Sequence, residues 1–270
     1  MGDNWSAGDV YENYMGRWSR PLALAFVKWL NASPGAHWLE VGCGTGALTD
    51  AICTLAEPDS VLAYDPSESF VMHARKGLKD TRVSFAVGSV ESLPAPKSPV
   101  DWLVSGLVLN FLPDPFSSIA TMRGLVRPGG TVAAYVWDYA QGMQFLRLFW
   151  DAAIEIDAAA ASYDEGVRFP ICSPGNLRTL FSEGSLGNIV IDPLMIATTF
   201  KDFDDLWLPF TRGTGPAPSY AASLSESKRT RLRNRLLSRL RVAPDGTIPL
   251  KARAWAVKGT TAELKSATPP

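Results

Sequence analysis

Histidine and cysteine are scarce in this chain: His37 and His73 are its two histidines, and Cys43, Cys53 and Cys172 its three cysteines. The cysteines have neither metal-site spacing nor the layout of a disulfide framework, which fits a reducing cytosol. No apolar run is long enough to cross a bilayer. The polar, acidic start Met1-Gly2-Asp3-Asn4-Trp5 does not read as a signal peptide, so a cytoplasmic location is expected. A net charge of −1 excludes a global attraction to nucleic acid or anionic membrane. Internal repeats and low-complexity tracts are missing. One absence is local: between Lys28 and Arg75 there is no lysine or arginine, while Glu40, Asp50, Glu57, Asp59, Asp65 and Glu68 all fall in that interval.

Inside that cation-free interval lies Trp38-Leu39-Glu40-Val41-Gly42-Cys43-Gly44-Thr45-Gly46, followed by the helix-like Ala47 to Ile52. This is strand, turn, helix. Closely spaced glycines let backbone approach a ligand that a Cβ would hold off. Asp65 follows at the distance where an acid on the next strand bonds ribose hydroxyls. An adenosine-containing cofactor is expected. A pyrophosphate would need positive potential near the loop. S-adenosylmethionine (SAM) has no phosphate and is net cationic, and a carboxylate such as Glu40 close to that cation contributes about 4 kcal/mol at an effective dielectric near 20. Gly42, Gly44 and Ala47 also fit the looser dinucleotide pattern, which keeps an NAD-type oxidoreductase open as the alternative.

Residues 9–30 read as one or two helices, with Pro21 opening the second. Strands are predicted at 37–41, 61–64, 83–87, 101–105 and 131–137. Helices are predicted at 46–56, 68–79 (with Ser67 as N-cap) and 116–126, and a turn at Arg127-Pro128-Gly129-Gly130. Strands alternating with helices, apolar enough to be covered on both faces, define a doubly wound, mostly parallel sheet. Further on, 143–161 reads as a helix, 176–181 as a shorter one, and 188–200 as strand broken at Pro193. Residues 202–210 read as an aromatic helix or loop, 213–218 as a flexible link, 223–241 as a basic helix and 247–257 as a last strand.

In the order and placement of these motifs the chain resembles class I SAM-dependent methyltransferases, particularly the group that includes ubiquinone/menaquinone-type C-methyltransferases. The resemblance covers about residues 9–137. It rests on Glu40 to Gly46, Asp65-Pro66-Ser67, Gly88-Ser89-Val90-Glu91-Ser92-Leu93-Pro94, Asp101 to Ser105, and Arg127 to Gly130. It implies a seven-stranded Rossmann-like methyltransferase sheet with added cap helices, in a single domain over 1–270. Residues 1–30 would be N-terminal lid helices, 140–187 and 201–245 substrate-side cap insertions, and 259–270 a flexible tail. SAM would be the cofactor. Gly42, Cys43, Gly44 and Gly46 would pass under its methionine part, with Glu40 near the charged end. Asp65 would bond the ribose hydroxyls and Pro66 pack on adenine, while Ser89 and Val90 would meet the adenine edge. Ser105 and Gly106 would line the floor beneath the sulfonium. Ser89 departs from the family, which usually has Asp there; a hydroxyl accepts from the adenine amine without charge assistance.

Ligands of open parallel sheets bind beyond the carboxyl ends of the strands. That singles out Asn110 after the fourth strand and Trp137, Asp138 and Tyr139 after the fifth. Tyr14 and Arg17 are further candidates for the cofactor, with Arg17 on its carboxylate. Trp18, Arg168 and Trp207 join Asn110 and Trp137 as candidates for a small-molecule substrate. Asp138 and Tyr139 are the candidate catalytic groups, because neither histidine is well placed to be a base. Methyl transfer is an in-line displacement helped mainly by alignment, and often needs no catalytic acid. No metal is expected. The basic helix 223–241 reads as a solvated face, with an anionic substrate, nucleic acid or partner as the other possibility. A SAM-fold protein that binds without methylating is a third reading of the whole chain.

Overall fold

The structure, a computed structural model, describes residues 15–94, 96, 98–212 and 215–263. Its seven strands are β1 (His37–Val41), β2 (Ser60–Asp65), β3 (Val83–Val87), β4 (Val100–Gly106), β5 (Val126–Trp137), β6 (Gly187–Ala197) and β7 (Lys251–Thr260). They form one sheet in the order β3-β2-β1-β4-β5-β7-β6. β1 pairs in parallel with β2 and β4, β2 with β3, and β4 with β5. β7 runs against β5, because Thr261 N–H meets the Gly130 carbonyl while Asp138 N–H meets that of Arg253. The reversal of strand order beside β1 is where a doubly wound sheet opens to a ligand.

The strands are apolar for a reason: they are covered on both faces. Trp38 and Trp102 are register partners on β1 and β4, and their rings stack at 5.2 Å. The helices are α1 (Arg17–Leu30), α2 (Ala47–Leu55), α3 (Glu68–Gly77), α4 (Pro115–Gly124), α5 (Gln144–Ile156), α6 (Glu165–Arg168), α7 (Pro174–Glu183), α8 (Phe203–Arg212), α9 (Pro216–Ser223) and α10 (Glu226–Arg239). Ser67 caps α3 by accepting from the Phe70 amide, and Asp114 caps α4 through the Phe116 and Ser117 amides. No helix among the described residues is long and apolar enough to cross a membrane.

Several local expectations are corrected. α1 runs through Pro21 instead of restarting there, at the cost of one backbone hydrogen bond. Arg127-Pro128-Gly129-Gly130 is not a turn but a bulge within β5: Val126 faces Val100 and Thr131 already faces Trp102, with Gly129 at φ +72° absorbing the extra chain. β6 continues through Pro193 because it is an edge strand, where a missing N–H is tolerated. The helix expected at 143–161 ends at Ile156 and tightens into a 3-10 turn over Ala158–Tyr163. The link expected at 213–218 and the start of the basic helix divide into α9, opened by Pro216 in its first turn, and α10. The last strand begins about four residues later than expected and ends about three later, at Lys251–Thr260.

The chain separates into two compact units. One comprises Ala23–Val136, Ser173–Asp192 and Trp255–Pro270; the other comprises Met1–Leu22, Trp137–Cys172 and Pro193–Ala254. They are called the glycine-loop unit and the aromatic unit below.

Candidate functional site

In the glycine-loop unit the turn after β1 is built by backbone. Gly42 and Cys43 N–H groups both donate to the Tyr64 carbonyl, at 2.7 and 2.9 Å, hooking the loop onto β2. Gly42, Gly44 and Gly46 have φ of +77°, +51° and +88°, a region that side chains disfavour. A Cβ on Gly42 would come within 2.3 Å of Val108, whereas one on Gly44 would meet nothing within 4 Å. The first glycine therefore admits a neighbouring loop, and the second leaves open space.

Asp65 ends β2 and clamps that loop. Its Oδ2 accepts from the Gly44 N–H at 2.9 Å and its Oδ1 from the Ser67 N–H at 2.8 Å. Each oxygen retains a lone pair for a hydroxyl. Burial raises the Asp65 pKa, and the two backbone bonds oppose the rise. Glu40 on β1 is buried, and its Oε2 accepts from the Thr49 hydroxyl at 2.6 Å. Desolvation, helped by the Asp65 charge, pushes Glu40 up to about 7 against the lowering effect of Thr49. A cation arriving here would favour both carboxylates in ionised form.

The remaining expected cofactor residues fall at the same strand ends, in varied postures. The Cys43 side chain is turned into a cluster with Ala63, Val71, Ala74 and Phe85, and burial raises its thiol far above the usual range, so only its backbone faces the loop's surroundings. Pro66 is exposed. Ser89 caps a short 3-10 turn with Ser92, and the Val90 side chain is core. The Ser105 hydroxyl donates to the Val41 carbonyl at 3.0 Å, stitching β4 to β1 instead of lining a floor. Gly106 makes room for Tyr135, whose hydroxyl would lie 2.5 Å from an added Cβ. After β4, Leu107 takes a left-handed φ of +62°, and its N–H meets the Tyr135 carbonyl. Asn110 follows in a 3-10 turn, and its buried Nδ2 has no partner among the described residues.

The other expected residues belong to the aromatic unit, apart from Tyr14, which lies outside the described residues. Arg17 is not free for a cofactor carboxylate: it pairs with Asp205 at 2.7 Å, with its guanidinium over the Trp18 and Phe200 rings. Asp138 is already engaged: Arg253 holds its Oδ2 at 2.5 Å and the Gln141 N–H meets its Oδ1 at 3.1 Å. Tyr139 is buried against Phe169, and Arg168 lies over that same ring. Trp137 is buried, and Trp207 belongs to a ring cluster with Phe203 and Phe210. The basic face of α10 is largely ion-paired: Lys228 with Asp157, Arg233 with Asp204, Arg235 with Glu155, and Arg239 with Asp151 and Glu155.

Sequence reasoning missed Thr49, Val108, Arg253 and the buried Glu165. Thr49 had a signal, a hydroxyl in the first turn of the helix after the loop. Arg253 had none, since its partner is 115 residues away in the chain. No group of three or more His, Cys, Asp or Glu suited to a metal occurs among the described residues.

Sheet order, glycine turn and acid-tipped β2 together define a Rossmann-like, nucleoside-cofactor domain. Comparison with known proteins makes this specific: the methyltransferase-domain family model matches residues 39–134. The ubiquinone biosynthesis O-methyltransferase of Xanthomonas campestris pv. campestris (strain B100) is 32% identical over 113 residues, 42% of this chain and 47% of that protein. The demethylmenaquinone methyltransferase of Bacillus licheniformis is 27% identical over 123 residues, 45% of this chain and 53% of that protein. The chain thus spans about half the length of these curated relatives. Among solved structures, the Haemonchus contortus phosphoethanolamine N-methyltransferase 2 in complex with SAM superposes with a TM-score of 0.57 at 15% identity, covering 95% of this chain and 57% of that one. Residues 39–134 thus match a methyltransferase domain, and SAM is the expected cofactor.

Proposed function

We propose that the protein transfers the methyl group of SAM to a small organic metabolite in the cytoplasm. The observation that carries this is the pair of buried carboxylates, Glu40 and Asp65, at the two strand ends of the glycine turn, neither with a cationic partner among the described residues. It suits a sulfonium and an ammonium and opposes a pyrophosphate. Asp65, already oriented by the Gly44 and Ser67 amides, accepts from the ribose hydroxyls. The backbone of Gly42 to Gly46 carries the methionine part, Glu40 balances its positive end, and the Val90 amide and Ser89 hydroxyl serve the adenine edge. SAM supplies an electrophilic methyl group; the chain supplies alignment, which is worth up to about 7–11 kcal/mol in well-oriented systems.

The acceptor is read as already nucleophilic. His37 opens β1, at the end of the strand opposite the glycine turn, and bonds Ser60 through its ring. Asp138 is committed to Arg253. Asn110, with its unpaired buried amide, is the residue we assign to orient an acceptor oxygen. The three cysteines are free and buried, which suits a reducing compartment.

Calorimetric titration with SAM, S-adenosylhomocysteine and NAD tests the reading. Binding of the first two and not the third is expected. Tight NAD binding without SAM binding would instead identify an oxidoreductase. SAM binding with no methylated product from a cell extract, followed by mass spectrometry, would leave a binding protein without transfer.

A further inference from the structure

In the aromatic unit, residues 161–170 form a surface segment with an unusual anchor. Tyr163 is 49% exposed and Val167 65%, and the buried residues of the stretch are Asp164 and Glu165. A surface segment ordinarily turns an apolar side chain inward; this one turns in two acids.

The two acids are held differently. Both Asp164 oxygens meet the Arg147 guanidinium from α5, and Oδ1 also accepts from the Gly166 N–H at 2.7 Å, which caps α6. Glu165 has one side-chain donor, the Trp150 indole N–H, also from α5. The charged groups that face it are Arg147 from α5 and Asp164 from its own segment, and these two are locked to each other. Nearby cations are committed elsewhere: Arg253 to Asp138, and Arg168 over the Phe169 ring. Burial raises the Glu165 carboxyl to about 7, against the lowering effect of its own backbone N–H and of Trp150.

What Glu165 holds down is short and closely seated. α6 has four residues, and a Cβ added to Gly166 would lie 2.9 Å from Ala140 Cα and 3.2 Å from the Tyr139 carbonyl oxygen, in the turn after β5. The Phe169 ring meets the Tyr139 ring at 5.5 Å. As a neutral acid, Glu165 fits this setting at little cost. As a carboxylate it is a buried charge with one side-chain hydrogen bond and no cation of its own, which is expensive. In water the same carboxylate is fully solvated. Ionisation therefore favours any local opening that carries Glu165 outward, and a short surface segment is the part of the unit with least to lose.

We propose that residues 164–169 are a pH-operated latch: with its proton Glu165 holds α6 closed on the Tyr139–Ala140 turn, and without it the segment opens and delivers the carboxylate to solvent. The device is contained in one unit and does not depend on SAM or on methyl transfer, so its failure and that of the methyltransferase reading are separable.

Amide hydrogen exchange of the full chain, followed by NMR from about pH 5 to 8 and corrected for intrinsic rates, tests it. The reporters are the Val167 and Arg168 N–H groups, bonded to the Asp164 carbonyl, and the Phe169 N–H, bonded to that of Glu165. Their opening should rise about tenfold per pH unit between about pH 5 and 7 and level off above, because the closed state keeps a proton that the open state has released. It should hardly respond to low urea, since a local opening exposes little surface. The Trp150 indole N–H resonance should shift over the same pH range. Glu165→Gln, which still accepts from Trp150, should abolish both the rise and the shift. Opening that ignores pH, a rise that survives Glu165→Gln, or a urea dependence equal to that of the β1 amides, which would mean that only global unfolding exposes Glu165, would overturn the proposal.

Discussion

Glu40 and Glu165 make a natural pair for comparison, one in each compact unit. Both are buried, and desolvation pushes both up to about 7. Glu40 has a hydroxyl partner, Thr49, and a second acid, Asp65, raising it further. Glu165 accepts from the Trp150 indole N–H, and beside it Asp164 is paired with Arg147 at 2.7 Å. At the glycine turn, Glu40 and Asp65 have no cationic partner among the described residues, although elsewhere in that unit Asp80 pairs with Arg82 and Asp101 with Arg127. In the aromatic unit acids are matched to arginines: Asp138 to Arg253, Asp164 to Arg147, Asp205 to Arg17, Glu155 to Arg235 and Arg239. Unmatched negative charge marks a place kept for a positive ligand, and matched charge marks a place that holds itself together.

The largest expected effect comes from Gly42→Ala. Its Cβ would strike Val108 at an unfavourable φ, and S-adenosylhomocysteine affinity should fall by about two orders of magnitude in calorimetry. Gly44→Ala, strained but unobstructed, should lose about tenfold; equal losses would show that backbone shape alone, not the Val108 contact, governs the turn.

Asp65→Asn should weaken S-adenosylhomocysteine about thirtyfold, because an amide –NH2 would face one of the two backbone N–H groups that the carboxylate now receives. An affinity near that of the parent would remove Asp65 from the site.

Glu40→Gln and Glu165→Gln test the pair directly. Ionisation of Glu40 should favour SAM over S-adenosylhomocysteine, a zwitterion that lacks the sulfonium charge, as pH rises through 7, and Glu40→Gln should flatten that ratio by about tenfold at pH 8. Glu165→Gln should leave the ratio alone and change stability. A carboxyl near 7 when folded and near its ordinary 4.5 when unfolded keeps a proton that the unfolded chain has released between those values. Stability therefore falls as pH rises from 4.5 to 7, and the lower stability persists above it. Glu165→Gln still accepts from Trp150 and should raise Tm by about 5 °C at pH 8, with little change at pH 4.5. A pH-independent shift in Tm would contradict the burial argument.

The smallest effect is expected from Glu155→Gln. Its ion pairs with Arg235 and Arg239 are exposed, so Tm should move by no more than about 2 °C, and less in high salt. A large loss would make the α5–α10 contact an electrostatic one.

The glycine-loop unit was readable because its signals are local. β1 to β4 are short apolar runs, each ending in the residue type its loop requires, and Ser67 caps α3 as its position implied. The aromatic unit was not, because its partners are far apart in sequence: Arg17 finds Asp205 across 188 residues and Lys228 finds Asp157 across 71. No window of sequence distinguishes a guanidinium waiting for a ligand from one already taken. Proline misled at Pro21, Pro128 and Pro193, the last two for a related reason. Its effect depends on whether the neighbouring side is occupied, as at the edge of the sheet beside Pro193, or whether the chain has slack, as in the bulge at Pro128.

That proline in β6 has a bearing on how the molecule behaves in a crowded solution. β6 is one margin of the sheet and carries exposed Val190 and Met195, the kind of apolar ribbon on which a stray strand adds itself. Pro193 sits between them and withholds a donor from the middle of the row, so a strand zipping along from either end must stop there. Folding tolerates the gap because only one side of β6 is paired, and association is interrupted because the other side is not continuous.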